Sequence, residues 1–258
     1  MITRVLATGL LAGLLAGLAV AVLQTFTTTP IILEAEVYEK ADAAKAQGAS
    51  LEVGPNFMVG GARLILVHAE VDAHAATGHE TGAEWEPQDG LQRTLYAGTA
   101  TIATAIGFAL LILAGMLFAG DRIDERRGMA WAAAGFAVTG LAPGLGLSPE
   151  VPGMMAAELA YRQEWWLATA AATAIGLWLI LRSDNNWLRL LAVGIVVAPH
   201  VWGAPHLVEA APTSVPAELA ARFAATSLAV HAALWVLTGF FVGFLWRKLG
   251  SSDVSQPA

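Results

Sequence analysis

Six runs of this chain carry almost no charge: Val5–Phe26, Leu95–Ala119, Met129–Leu147, Trp165–Leu181, Leu188–Gly203 and Phe223–Trp246. A helix of about 20 apolar residues is long enough to cross the hydrocarbon of a bilayer. Only 14% of the 258 residues are charged, against about a quarter in soluble domains. That shortage is what a bilayer demands, because charges are expensive in hydrocarbon. The reading is an all-α polytopic membrane protein with six transmembrane helices. The fifth run is the shortest and holds Pro199 and His200. Five spans, with the fifth run re-entrant or broken, is the alternative. Residues 1–258 then form a single transmembrane domain. One long loop, 27–94, is inserted between helices 1 and 2, and 249–258 reads as a disordered cytoplasmic tail.

A cleaved leader is the competing reading of the first run. No small-x-small cleavage site follows it. Gly9, Gly13 and Gly17 recur every four residues, a spacing that lets membrane helices pack closely and that also arises by chance in Ala/Gly/Leu-rich helices. Orientation follows from the basic residues, which favour the cytoplasmic side. With the N-terminus inside, the inner segments hold 8 basic and 5 acidic residues, and the outer segments 6 basic and 16 acidic. Both termini are then cytoplasmic (N-in/C-in), and the long outer loop is acidic.

The runs also group into three tandem two-helix hairpins. Ala142-Pro143 and Ala198-Pro199 each close an odd-numbered helix, with a second proline six residues later at Pro149 and Pro205. Thr29-Pro30 ends the first odd helix more loosely. Each even helix opens with acid-x-x-x-Arg: Asp89/Arg93, Glu158/Arg162 and Glu218/Arg222. Local capping explains that motif by itself, since an acid in the first turn suits the helix dipole and can pair with Arg at i+4. Its recurrence at one topological place adds the expectation of a duplicated hairpin around an axis along the membrane normal.

Cysteine is absent, so a metal would be held by nitrogen, oxygen or methionine thioether. All six histidines, His68, His74, His79, His200, His206 and His231, fall on the outer side or in the outer half of a helix. Imidazole is the commonest metal ligand near neutral pH. Glu34 and Glu36 follow helix 1 on the same side. A nitrogen-and-oxygen set suits a divalent transition metal such as Co²⁺, Ni²⁺ or Zn²⁺. Each histidine also has a plain reading. His68, His74 and His79 can be solvated loop residues. His200 and His206 flank a proline-broken segment, where freed carbonyls are tolerated only against protein or a cavity. His231 lies inside helix 6, where a polar group faces the bundle and a structural hydrogen bond is the alternative role. Met154 and Met155 read as membrane-surface hydrophobes rather than soft ligands.

Enzyme signatures are missing. There is no His-Glu-x-x-His, no P-loop and no Gly-x-Ser-x-Gly elbow. The chain is therefore read as a non-enzyme that binds no nucleotide, and a pI near 5.3 argues against nucleic acid.

Several blocks carry a family resemblance. They are Gly9-x3-Gly13-x3-Gly17 with Pro30 to Glu39, Trp85-x-Pro87-x-Asp89-Gly90 to Tyr96, Ala142-Pro143 to Gly153, Arg162-Gln163-x-Trp165-Trp166, and Pro199-His200-x2-Gly203-Ala204-Pro205-His206. In this order, over nearly the whole chain, they resemble the CbtA family of predicted cobalt transporter subunits. The resemblance implies cobalt import for cobalamin synthesis across a bacterial inner membrane. It also implies a small one-span, histidine-bearing partner, CbtB. Relatives often carry a dense histidine run in the first outer loop, thinned here to His68, His74 and His79, and the family is commonly described with five spans. The expected function is a transport subunit for a divalent cation, cobalt first, with His200, His206 and His231 and the carboxylates Glu34 and Glu36 along its route. A non-transporting accessory subunit of a larger membrane complex is the rival, and a membrane metalloenzyme ranks below both.

Overall fold

The structure is a computed structural model that describes residues 1–51, 58–59, 62–63, 87–88, 90–207 and 213–252. Its helices are α1 (Ile2–Phe26), α2 (Thr28–Leu51), α3 (Leu91–Phe118), α4 (Glu125–Phe136), a π-helical segment (Ala137–Leu141) running into the short α5 (Ala142–Gly144), α6 (Leu159–Arg182), α7 (Asn186–Trp202) and α8 (Ala217–Ser252). Met58–Val59 and Ala62–Arg63 make a two-residue antiparallel pairing. Four helices, α1, α3, α6 and α8, are long and apolar enough to cross a membrane. The fifth run of the sequence is the 17-residue helix α7. The third is α4, the π segment and α5 end to end. The α8 helix continues through Leu249–Ser252, so the first residues of the expected disordered tail are helical.

The packing is that of a membrane bundle. On α1 the buried face is Thr8, Gly9, Ala12, Gly13, Ala16, Gly17 and Val20, while Leu6, Leu10, Leu14 and Leu18 point outward. Small residues inside and large aliphatics outside invert the arrangement that water would select. Lipid accepts leucine as well as a core does, so association relies on close backbone approach. The glycine stripe supplies it. A Cβ at Gly13 would collide with the Ile106 backbone, and one at Gly9 or Gly17 would meet Leu110 or Ile102. Gly9, Gly13 and Gly17 thus mesh with every fourth residue of α3. A second crossing of this kind joins α4 to α8, where Gly128 and Gly239 each pack on the other's carbonyl. Leu113, Met116 and Val242 fill the space between, with no exposure.

The tandem hairpins are not the units of packing. The most extensive pairs are α1 with α3, α4 with α8, α1 with α8, and α6 with α7. The first hairpin pairs extensively with itself, the second meets itself chiefly through the π segment and α5, and the third makes no extensive contact between its helices. The third predicted span packs on the sixth, and the fourth on the fifth. The glycine crossings explain this, because Gly128 and Gly239 give α4 and α8 a closer fit than either has with its sequence neighbour. The bundle is therefore α1, α3, α4 and α8, with α6–α7 attached chiefly through the π segment and α5.

The two interior prolines do less breaking than their position suggests. Pro143 has no N–H to give the preceding turn. The chain widens to a π turn just before it, where Ala142 N–H reaches Ala137 C=O. A local π adjustment of this kind re-satisfies backbone in membrane helices. Pro199 lies within α7, which continues to Trp202 and stops at Gly203, whose φ of 93° suits glycine. The expected break at Pro199 is thus a helix end at Gly203. In both places the proline carbonyl is used: Pro143 accepts from Leu147 N–H at 2.8 Å and Pro199 from Gly203 N–H at 3.0 Å.

Over one end of the bundle, α2 forms a cap. Ile31 and Ala35 pack with Val151, Val215 and Leu219. Asp42 accepts from the Ser214 hydroxyl at 2.6 Å and from its backbone N–H at 3.0 Å. The Ser214 hydroxyl, and then its N–H, hold the Asp42 carboxyl below the ordinary carboxylate range.

Candidate functional site

A cavity of about 360 Å³ opens beneath this cap, between α1, α3 and α8. Its walls carry Gln24, Thr28, Thr101, Thr104, Ser227 and His231 among aliphatic residues. Several of these groups are tied to the wall. Thr101 Oγ1 lies 2.9 Å from Gln24 Oε1 and 3.0 Å from Ala97 C=O. The Thr104 hydroxyl donates to Ala100 C=O at 2.9 Å. Polar side chains at this depth are costly unless they face protein or a cavity, and here they converge on one cavity.

His231 closes its inner end. The Trp235 indole N–H lies 3.0 Å from His231 Nε2 and 3.1 Å from Thr139 Oγ1. The indole is only a donor, so Nε2 accepts and its lone pair points at Trp235. The imidazole lies parallel to Phe108 at 6.0 Å and edge-on to Phe136 at 5.8 Å. Trp235 in turn stacks on Phe108 at 4.1 Å. The π segment reaches His231 at Gly140, where a Cβ would stand 2.8 Å from Nδ1. Thr139 and Gly140, both on the widened turn, therefore frame the buried side of this histidine. Such π bulges recur at functional sites.

The structure separates the other expected ligands from His231. His200 lies on α7, edge-on to Trp165 at 5.8 Å, and the Trp165 indole N–H donates to Pro199 C=O at 3.2 Å. Trp165 also fills the space over Gly146 beside Ala204, which joins the two Ala-Pro segments to each other. His206 is exposed beyond α7. Since α7 packs on α6 and makes no extensive contact with α8, His200 and His206 belong to a different wall. His68, His74 and His79 lie outside the described residues. Among the described residues, no group of three His, Asp or Glu side chains could hold a metal ion.

Glu34 and Glu36 face guanidinium groups. Glu36 pairs with Arg93 at the start of α3, and Glu34 with Arg222 at the start of α8, at 3.1 Å. The third arginine of the repeated motif, Arg162, pairs with Glu150 at 2.8 Å. Arg162 and Arg222 thus reach acids beyond the preceding turns rather than Glu158 and Glu218 at i−4. Glu34 and Arg222 lie beside the cavity, two residues from Ile32 and one from Phe223 of its lining.

At the opposite end Asp121 gathers three donors. The Trp131 indole N–H approaches at 2.9 Å, Arg182 at 2.7 Å and Arg127 at 3.6 Å. The Trp131 hydrogen bond is the main cause that holds the Asp121 carboxyl below its usual range, against partial burial, with Arg182 and Arg127 adding to it.

Among the described residues expected to bind metal, His231 alone lines this cavity, and its neighbours are residues that the sequence did not single out. Thr101 and Thr104 at i, i+3, and Ser227, His231 and Trp235 at i, i+4, i+8 mark polar faces on two apolar helices. That signal was present. What no spacing could show is that Gln24 and Thr139 join them from two other helices.

A family model described as probable cobalt transporter subunit (CbtA) matches residues 2–247. No match was found among curated proteins or among solved structures.

Proposed function

Since this chain belongs to the CbtA family, we propose that it is the transport subunit for a divalent transition-metal cation, cobalt first, feeding cobalamin synthesis. The observation that carries the reading is the polar cavity ending on His231 inside an apolar bundle. In this reading α4, the π segment and α5 make one further span and α7 another, giving six. The basic ends lie in the cytoplasm, and the membrane is the bacterial inner membrane. The acidic outer face concentrates cations, which the loop histidines and His206 meet first. The ion passes the Glu34–Arg222 and Glu36–Arg93 pairs, sheds water against the oxygens of Gln24, Thr28, Thr101 and Ser227, and meets His231. Coordination there needs the Nε2 lone pair. Trp235 can yield it without losing its own partner, because Thr139 accepts the same N–H. The route calls for no nucleotide, so the drive is the membrane potential or a partner such as the one-span CbtB.

The accessory reading draws on one feature, the α6–α7 hairpin, which leaves Leu190, Leu191, Val201 and Trp202 of α7 exposed. Radiocobalt uptake by cells expressing the full chain and its partner separates the two. His231→Ala lowers uptake about tenfold or more under the transport reading, and His200→Ala/His206→Ala lowers it less. Equal uptake by wild type and His231→Ala, at equal membrane abundance, removes the transport reading.

A further inference from the structure

We propose that the wedge between α3, α4 and α6 is a binding site for an anionic phospholipid, with an acyl chain in its apolar groove and the phosphate on Arg127 and Arg182. The site is on the opposite side of Trp235 from the polar cavity, and it does not depend on the transport reading. Its origin is the way α6 attaches. That helix runs along α7 and meets the bundle chiefly at the π segment and α5, with little contact to α4. Toward the Asp121 end the helices part, leaving a cavity of about 620 Å³.

The walls are hydrocarbon: Leu111, Ile112, Ala134, Val138, Ala174 and Leu177 contribute. Water has too few partners there to stay, so in a bilayer the groove holds an apolar chain. An apolar groove with cationic donors at one end suits one acyl chain under an anionic headgroup. Its volume falls within the roughly 300–1,000 Å³ of small-ligand sites.

The charges sit at one end only. Asp121, Arg127 and Arg182 are the charged residues lining the groove, so two guanidiniums share one carboxylate. The carboxylate is turned inward onto the Trp131 indole, its side chain 12% exposed, whereas Arg127 and Arg182 are 58% and 37% exposed. Asp124 is engaged at the start of α4, accepting from Arg127 N–H at 2.9 Å. A group arriving from the headgroup layer therefore meets cationic donors with the compensating anion behind them. Arg182 also lies over the Trp178 ring, 5.1 Å from its centre, which fixes one donor at the rim. Basic pockets between helices at the cytoplasmic surface suit anionic headgroups. With the basic ends inward, this lipid belongs to the cytoplasmic leaflet.

The test uses the full chain in phosphatidylcholine nanodiscs, titrated with phosphatidylglycerol or phosphatidylcholine carrying brominated acyl chains, and reads tryptophan quenching. Phosphatidylglycerol is expected to bind about fivefold to tenfold more tightly, from about one uncompensated charge at the rim. Arg127→Ala/Arg182→Ala loses that preference. Arg127→Gln, which leaves the Asp121–Arg182 pair in place, loses part of it should the double variant not fold. Ala174→Phe fills the groove and abolishes site quenching by either lipid without touching a charge. Equal binding of the two lipids by the wild type overturns the proposal. So does a preference that survives both the arginine and the Ala174→Phe variants. Competition by soluble glycerol phosphate as effective as the lipid would reduce the site to an ion site and overturn it too.

Discussion

Trp235 offers a single N–H to two acceptors, and under the transport reading that sharing is what frees His231 to act as a ligand. A histidine with one fixed donor would be locked, whereas this one can be released at the expense of a single hydrogen bond, about 1 kcal/mol. His231 could be picked out from sequence because an imidazole in an apolar helix needs a reason. Trp235 and Thr139 could not, since tryptophan and threonine are ordinary in such helices and their value lies in a contact across 96 residues. The same holds for Asp121, which reads as one more loop acid. Its carboxyl is depressed in the folded protein, so its stabilisation is present above the unfolded value of about 4 and fades as pH falls through the lower folded value. Acidification through that lowered value should therefore loosen the Asp121–Arg182 contact and shift Trp131 emission. Asp121→Asn should remove that acid step; an unchanged acid transition in the variant would mean another group governs it.

Among the elements, the glycine stripe was the most legible and the hairpin grouping the least. Gly9, Gly13 and Gly17 announce a close approach because four-residue spacing puts them on one face, and the structure sets α3 against that face. Gly13→Leu should cost about 3 kcal/mol or more, since backbone rather than a flexible side chain stands in the way. Gly107→Leu, on the open side of α3 with nothing within 4 Å, should not destabilise and should gain up to about 1 kcal/mol of helix propensity. Thermal melts of the two variants in detergent would check this contrast. Comparable losses at both positions would mean that the close approach at Gly13 does not set the effect, since helix propensity favours leucine at both. The hairpins misled because a repeat records the order of segments along the chain. Which segments touch is decided by shape, and Gly128 against Gly239 outweighed adjacency in sequence. The prolines misled in a related way. Proline predicts a lost N–H, but a π turn precedes Pro143 and α7 runs on past Pro199 to its stop at Gly203.

For the whole molecule, four of the six apolar runs fall in helices long and apolar enough to cross a bilayer, because the bilayer sets length and composition together. Orientation rests on the same charges that build the two polar ends. The chain has no cysteine, so single cysteines report directly. Lys40→Cys on α2 should react with an impermeant maleimide applied outside cells, and Arg126→Cys at the start of α4 only after permeabilisation. The reverse pattern would invert the topology. The central claim is that cobalt crosses through the cavity ending on His231. Ser227→Cys tests it most directly, because the thiol replaces a hydroxyl on the cavity wall with little change in size. Radiocobalt uptake by that variant should match wild type before treatment and fall about tenfold or more once a bulky methanethiosulfonate has modified the thiol. Uptake that persists after complete modification would contradict the account.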